Sequence, residues 1–77
     1  MNYGDANQVL EDLSEILQDD ADVHYLNKYT GGYYVRGTML NYVLDADTIN
    51  YLHRNRLEVM FWGHDSDGRP KVSIRDE

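Results

Sequence analysis

Three histidines and fourteen carboxylates are the side chains of this 77-residue chain that could move protons or hold a metal ion. Cysteine is absent, which removes thiolate catalysis, disulfides and thiolate metal cages. His24, His53 and His64 fall in different predicted elements, and none forms an i, i+4 pair with another ligand, so no zinc centre is expected. His64 stands beside Asp65 and Asp67, but Asp65-Ser66-Asp67-Gly68 is the composition of a tight turn. It matches the first and third acids of an EF-hand loop and lacks the flanking helices and the closing glutamate. Of the nucleophiles, Ser14, Ser66 and Ser73 occupy no nucleophile elbow. Gly31-Gly32 and Gly37 fit no phosphate-loop spacing. Acid–base work by paired carboxylates needs a concave, partly desolvated site, for which so short a chain leaves little volume beside its core. Neither catalysis nor a cofactor nor a metal is expected.

The carboxylates are instead notable for where they lie. The net charge of −7 comes from fourteen acids and seven bases. Residues 1–22 hold seven of the acids (Asp5, Glu11, Asp12, Glu15, Asp19, Asp20 and Asp22) and no Lys or Arg, whereas the remaining chain is balanced. An acidic face keeps a small protein in solution; it also suits electrostatic docking on a basic partner.

The elements that position these residues follow from pattern. Asp5 as N-cap with Gln8 three residues on predicts a helix start, and Val9, Leu10, Leu13, Ile16 and Leu17 form one apolar stripe at the helical period. The other side of that helix would carry Glu11, Glu15, Asp19 and Asp22 along one edge, with Asp12 beside them. Val23 to Tyr29 and Tyr33 to Leu44 read as a hairpin across Gly31-Gly32, with Tyr29 opposite Tyr34. Asp45 or Asp47 caps a short helix containing Ile49 and Leu52 and ending near Asn55. Leu57 to Gly63 and Pro70 to Arg75 form a second hairpin across Asp67-Gly68, and Pro70 places its strand at an edge or itself at the start of the ladder.

The order α-β-β-α-β-β predicts a single α+β domain over 1–77, a two-layer sandwich with two helices on one face of a four-stranded, mainly antiparallel sheet. Its expected core is Val9, Leu13, Ile16, Leu17, Leu26, Val35, Met39, Val43, Ile49, Leu52, Val59, Phe61, Val72 and Ile74. Alternation then assigns Tyr25, Tyr29, Tyr34, Arg36, Tyr42 and Thr38 to the outer sheet face, together with Glu58, Met60, Trp62 and His64 of the second hairpin and the Lys71, Ser73 and Arg75 opposite them. Aromatics stabilise sheets by cross-strand pairing, and Tyr, Trp and Arg also dominate interface hot spots.

Such a face can stack single-stranded nucleic acid. A nucleic-acid binder should carry a basic stripe, however, and this chain has a pI near 4.6. The expected partner is therefore a basic, nucleic-acid-binding protein, contacted through Glu11, Asp12, Glu15, Asp19 and Asp22 and through the aromatic face. Carboxylates at helical spacing can occupy a groove built for phosphates. In size, acidity and lack of catalytic groups the chain is similar to small bacteriophage inhibitors such as anti-restriction and anti-CRISPR proteins, a likeness of composition that an acidic antitoxin, an immunity protein or an assembly adaptor shares. No apolar run approaches the roughly 18 residues of a membrane span. The N-terminus lacks the pattern of a signal peptide, so a cytoplasmic protein is expected. A homodimer is also expected, through Met60 and Trp62 beside an edge strand carrying Val72 and Ile74.

Overall fold

The computed structural model describes residues 1–26, 32–40 and 44–77. Two helices and four strands follow in the order α1 (Tyr3–Asp12), β1 (Asp22–Tyr25), β2 (Tyr33–Thr38), α2 (Ala46–Arg54), β3 (Leu57–His64) and β4 (Pro70–Asp76). The strands form one antiparallel sheet in the order β1-β2-β4-β3. The fold is the expected α+β arrangement. No helix among the described residues is long and apolar enough to cross a membrane.

Helix α1 starts and ends earlier than the apolar period suggests. Its N-cap is Asn2, in extended conformation, whose side chain accepts from the Asp5 N–H at 2.7 Å. Asp5 therefore lies inside the first turn, where its charge complements the helix dipole. After Asp12 the chain tightens into i→i+3 bonds, from Ser14 N–H to Glu11 C=O and from Ile16 N–H to Leu13 C=O. Leu17 then leaves the helical path altogether and makes an antiparallel bridge with Met39. The helical carboxylate ridge from Glu11 to Asp22 is thereby corrected. Glu11 and Asp12 end the helix, Glu15 lies in the tightened turns, Asp19 and Asp20 in a following turn, and Asp22 opens β1.

In the first hairpin Val23 opposes Val35 and Tyr25 opposes Tyr33. The ladder continues to a bond from Leu26 N–H to Gly32 C=O, so Tyr33 and Tyr34 sit opposite residues much nearer the start of β1 than expected. This shift is by an odd number of residues, and the faces of β1 exchange. Val23 and Tyr25 join Val35 on the helix side, and His24 joins Tyr34 and Arg36 outside. Tyr29 and Tyr42, like Val43, lie outside the described residues.

The α2 cap is Asp45, whose side chain accepts from Thr48 N–H at 2.7 Å, and the helix runs to the Asn55 C-cap. The second hairpin closes through Gly68 N–H to Asp65 C=O, with Gly68 at φ 80° and the Asp65 carboxylate accepting from the N–H groups of Asp67 and Arg69. Pro70 is the first residue of β4, which needs no donor there; its C=O accepts from Met39 N–H. β4 is a central strand, so Val72 and Ile74 are not on an edge, and the edge of this hairpin is β3. A bulge at Trp62 shifts the register between Phe61 and Gly63, which brings His64 opposite Pro70 and away from the outer face.

One row of the core crosses the whole sheet: Val23, Val35, Ile74 and Val59 oppose one another in turn. Above it pack Val9, Leu13, Leu17 and Leu52, with Met39, Leu57 and Val72 completing the buried cluster. Ala6 and Leu57 are buried beyond the expected set, while Leu26, Ile49 and Phe61 are exposed. Gly37 is fixed by close approach, since a Cβ there would lie 2.7 Å from the Ala21 Cβ.

Candidate binding surfaces

The acids assemble into a band of grooves rather than a helical ridge. Between the end of α1 and the start of α2 lies a groove of about 280 Å³ lined by Asp12, Glu15, Asp45 and Asp47, with Arg54 as its one base. Glu15 also lines a neighbouring groove with Asp19 and Asp20, where Arg69 is the one base. Asp19 in turn lines a third with Glu11, which contains no base. These shared residues link the three into one surface carrying seven carboxylates against two guanidinium groups. Asp20, Asp45 and Asp47 belong to it and were missed by helical spacing, because they come from a turn and from the cap and first turn of the second helix. Asp22 does not line it and opposes Arg36 across β1 and β2.

The carboxylates of the band fall into two groups. Some are tied into the fold: Asp12 accepts from Tyr51 Oη at 2.6 Å and from Gln8 Nε2 at 2.9 Å. The Tyr51 bond, with the Gln8 bond second, holds the Asp12 carboxyl below its usual range. The Thr48 N–H does the same for Asp45. Burial, reinforced by the bond to Asp12, pushes the Tyr51 phenol above its usual range. Asp20 accepts from Thr38 Oγ1 at 2.8 Å and anchors the turn over β2. By contrast, the carboxylates of Glu11, Glu15, Asp19 and Asp47 take no hydrogen bond or ion pair among the described residues. All four are exposed, and only Asp47, in the first turn of α2, complements a helix dipole.

The outer sheet face is smaller and less aromatic than expected. Tyr25 is on the helix side, where its ring meets Tyr33 at 5.2 Å, and Tyr33 meets Tyr3 of α1 at 5.3 Å. Among the described residues the outer face keeps Tyr34, which lies 5.7 Å from His24, and Trp62. Trp62 is engaged by cations: the Arg36 guanidinium sits 4.0 Å from its ring centroid and the Lys71 ammonium 5.3 Å. Both belong to strands whose outward positions converge on the bulge. Met60 opposes Ser73 on this face and contacts Arg75, which pairs with Glu58 at 3.3 Å.

Among the described residues no three His, Asp or Glu side chains gather where a metal ion would be held. Asp65 spends its carboxylate on backbone N–H groups, which hold its carboxyl below the usual range, the Arg69 N–H foremost. No protein-family model matches the chain, and neither the curated proteins nor the solved structures yield a match.

Proposed function

We propose that this is a non-enzymatic, cytoplasmic binding protein that docks through its acidic band on a basic partner, one whose groove is built for nucleic-acid phosphates. The observation that supports this reading is the division among the carboxylates. Glu11, Glu15 and Asp19 serve nothing in the fold and Asp47 only complements the dipole of α2, yet they share one band with three acids whose positions the fold does hold. Like charges held near one another cost stability through mutual repulsion. A docking partner that neutralises them offsets that cost and is steered in by the same field. An inhibitor that competes with nucleic acid, of the kind bacteriophages encode, is the most concrete form of the reading. An antitoxin, an immunity protein or an assembly adaptor would use the same electrostatics.

Single-strand nucleic-acid binding by the sheet face is the weaker alternative. Stacking needs open aromatic faces, and the geometry moves Tyr25 to the helix side, against Tyr33, and sets Arg36 on Trp62.

Affinity capture from the source cell tests the proposal, using wild type and the variant Glu11→Gln, Glu15→Gln, Asp19→Asn, Asp47→Asn side by side. These four changes leave every carboxylate hydrogen bond described above intact. The expected result is a basic protein held by wild type and lost by the variant. Retention of the same partner by both would remove the acidic band from the interaction.

A further inference from the structure

The seven bases of the chain are unequally used. Arg75 pairs with Glu58 at 3.3 Å and Arg69 with Asp67 at 3.9 Å, and Arg54 faces the four carboxylates of its groove. Arg36 and Lys71 have no carboxylate within ion-pair distance among the described residues, although fourteen acids stand against the seven bases. Two acids lie beside them and bond elsewhere. Asp22 opposes Arg36 across the ladder, but its carboxylate accepts from Val23 N–H at 2.8 Å. The two oxygens of Asp20 accept from Thr38, one from the N–H at 3.3 Å and one from Oγ1 at 2.8 Å.

Trp62 gathers the two free cations. It belongs to the edge strand β3, yet its ring centroid lies 4.0 Å from the Arg36 guanidinium of β2, so the indole crosses the outer face of β4. There the Lys71 ammonium stands 5.3 Å from the same centroid. The three residues open on a pocket of about 180 Å³ that His24 of β1 and Asp20 also line. A cation–π contact uses the charge of Arg36 and Lys71 and none of their N–H donors, which remain for a ligand. Like charges drawn to one ring also repel, a cost that a bound anion offsets.

We infer that this pocket binds a phosphate group, free or as a monoester. The Arg36 fork suits two oxygens in bidentate fashion and leaves a third for the point charge of Lys71, with the His24 imidazole beside them. A phosphate supplies that many oxygens and a carboxylate does not. Asp20 then discriminates among tetrahedral oxyanions. Its carboxylate repels a group that can only accept, such as sulfate or a phosphodiester. A phosphate monoester, whose second pKa is about 6, can keep a proton when bound and donate it to Asp20. The bonds from Thr38 leave lone pairs on both Asp20 oxygens for this. Internal phosphodiesters are excluded on the same ground, so the pocket is no platform for a nucleic-acid strand. This inference is independent of any docking through the acidic band.

The emission of Trp62, the one tryptophan, tests it in titrations of the purified protein at constant ionic strength with inorganic phosphate, glycerol phosphate, sulfate and dimethyl phosphate. The first two should give a saturable change and the last two none. Tighter binding of glycerol phosphate would assign a monoester; otherwise the ligand is free phosphate. Lys71→Gln should weaken phosphate binding at least about tenfold. Asp20→Asn, which keeps an acceptor for Thr38 and adds an N–H, should admit sulfate. A response to phosphate no different from that to sulfate would overturn the inference, as would saturation untouched by Lys71→Gln or an Asp20→Asn protein that still rejects sulfate. Should a variant fail to fold, wild-type amide shifts decide: phosphate and not sulfate should move Arg36, Thr38 and Lys71. The four-carboxylate variant should bind phosphate at least as well as wild type, since none of its changed residues lines the pocket, which separates this result from the fate of the acidic band.

Discussion

Tyr51 Oη donates to Asp12 Oδ2 at 2.6 Å, and this bond ties the end of α1 to the middle of α2 across the acidic groove. It keeps one carboxylate of the band ionised and in place. Asp12, Asp45 and Asp65 all have carboxyls held below the ordinary value of 3.8, so each contributes stability that is present above that pH and lost as pH falls through the depressed value. Tyr51 has the opposite sign: its raised pKa gives stability present below pH 10.0 and lost as pH rises beyond it. Thermal unfolding against pH should therefore decline at both extremes. Tyr51→Phe should shrink both the alkaline and the acid decline; an unchanged profile would mean the bond does not form in solution.

Two backbone positions should respond in opposite directions. Arg56 follows the α2 C-cap at φ 54°, the left-handed region that favours glycine, so Arg56→Gly should stabilise by roughly 1 kcal/mol in denaturant titration. Gly37→Ala should destabilise by about 1–3 kcal/mol, because its Cβ meets Ala21 and the turn anchored by Asp20 must shift.

The guanidinium of Arg36 on Trp62 gives a direct optical test of the sheet face. Arg36→Gln should alter the emission of this one tryptophan and cost about 0.5–1 kcal/mol. Titration of wild type with short single-stranded oligonucleotides at low salt should leave that emission unchanged. Saturable quenching would restore the nucleic-acid reading and weaken the docking one.

Much of this architecture is legible in the sequence where a local signal is unambiguous. Asp45 and Asp47 before the Ile49–Leu52 pair marked the start of α2, of which Asp45 is the cap, the expected end near Asn55 is the observed C-cap, and alternation grouped Val59 and Phe61 with Val72 and Ile74 correctly. What failed depended on pairings distant in sequence. Gly31-Gly32 is a strong turn signal, but the ladder from Val23 to Val35 decides the register, and with it the face of Tyr25. Phe61 points to the helix side as expected and is still exposed, because strand order, which periodicity does not encode, puts it at the sheet edge. The acidic site shows the same division. Glu11, Asp12, Glu15 and Asp19 were found from their excess in the first 22 residues, whereas Asp45 and Asp47 join them only because the sheet sets α2 beside the end of α1, where Tyr51 bonds Asp12.

The association rate of the captured basic partner, measured against ionic strength, tests the docking surface most directly. Wild type should associate fast at low salt and slow steeply as salt screens the field, whereas the Glu11, Glu15, Asp19 and Asp47 amide variant should start slower and show a flatter dependence. Equal rates and equal salt dependence for the two proteins would contradict the acidic band as the site of docking.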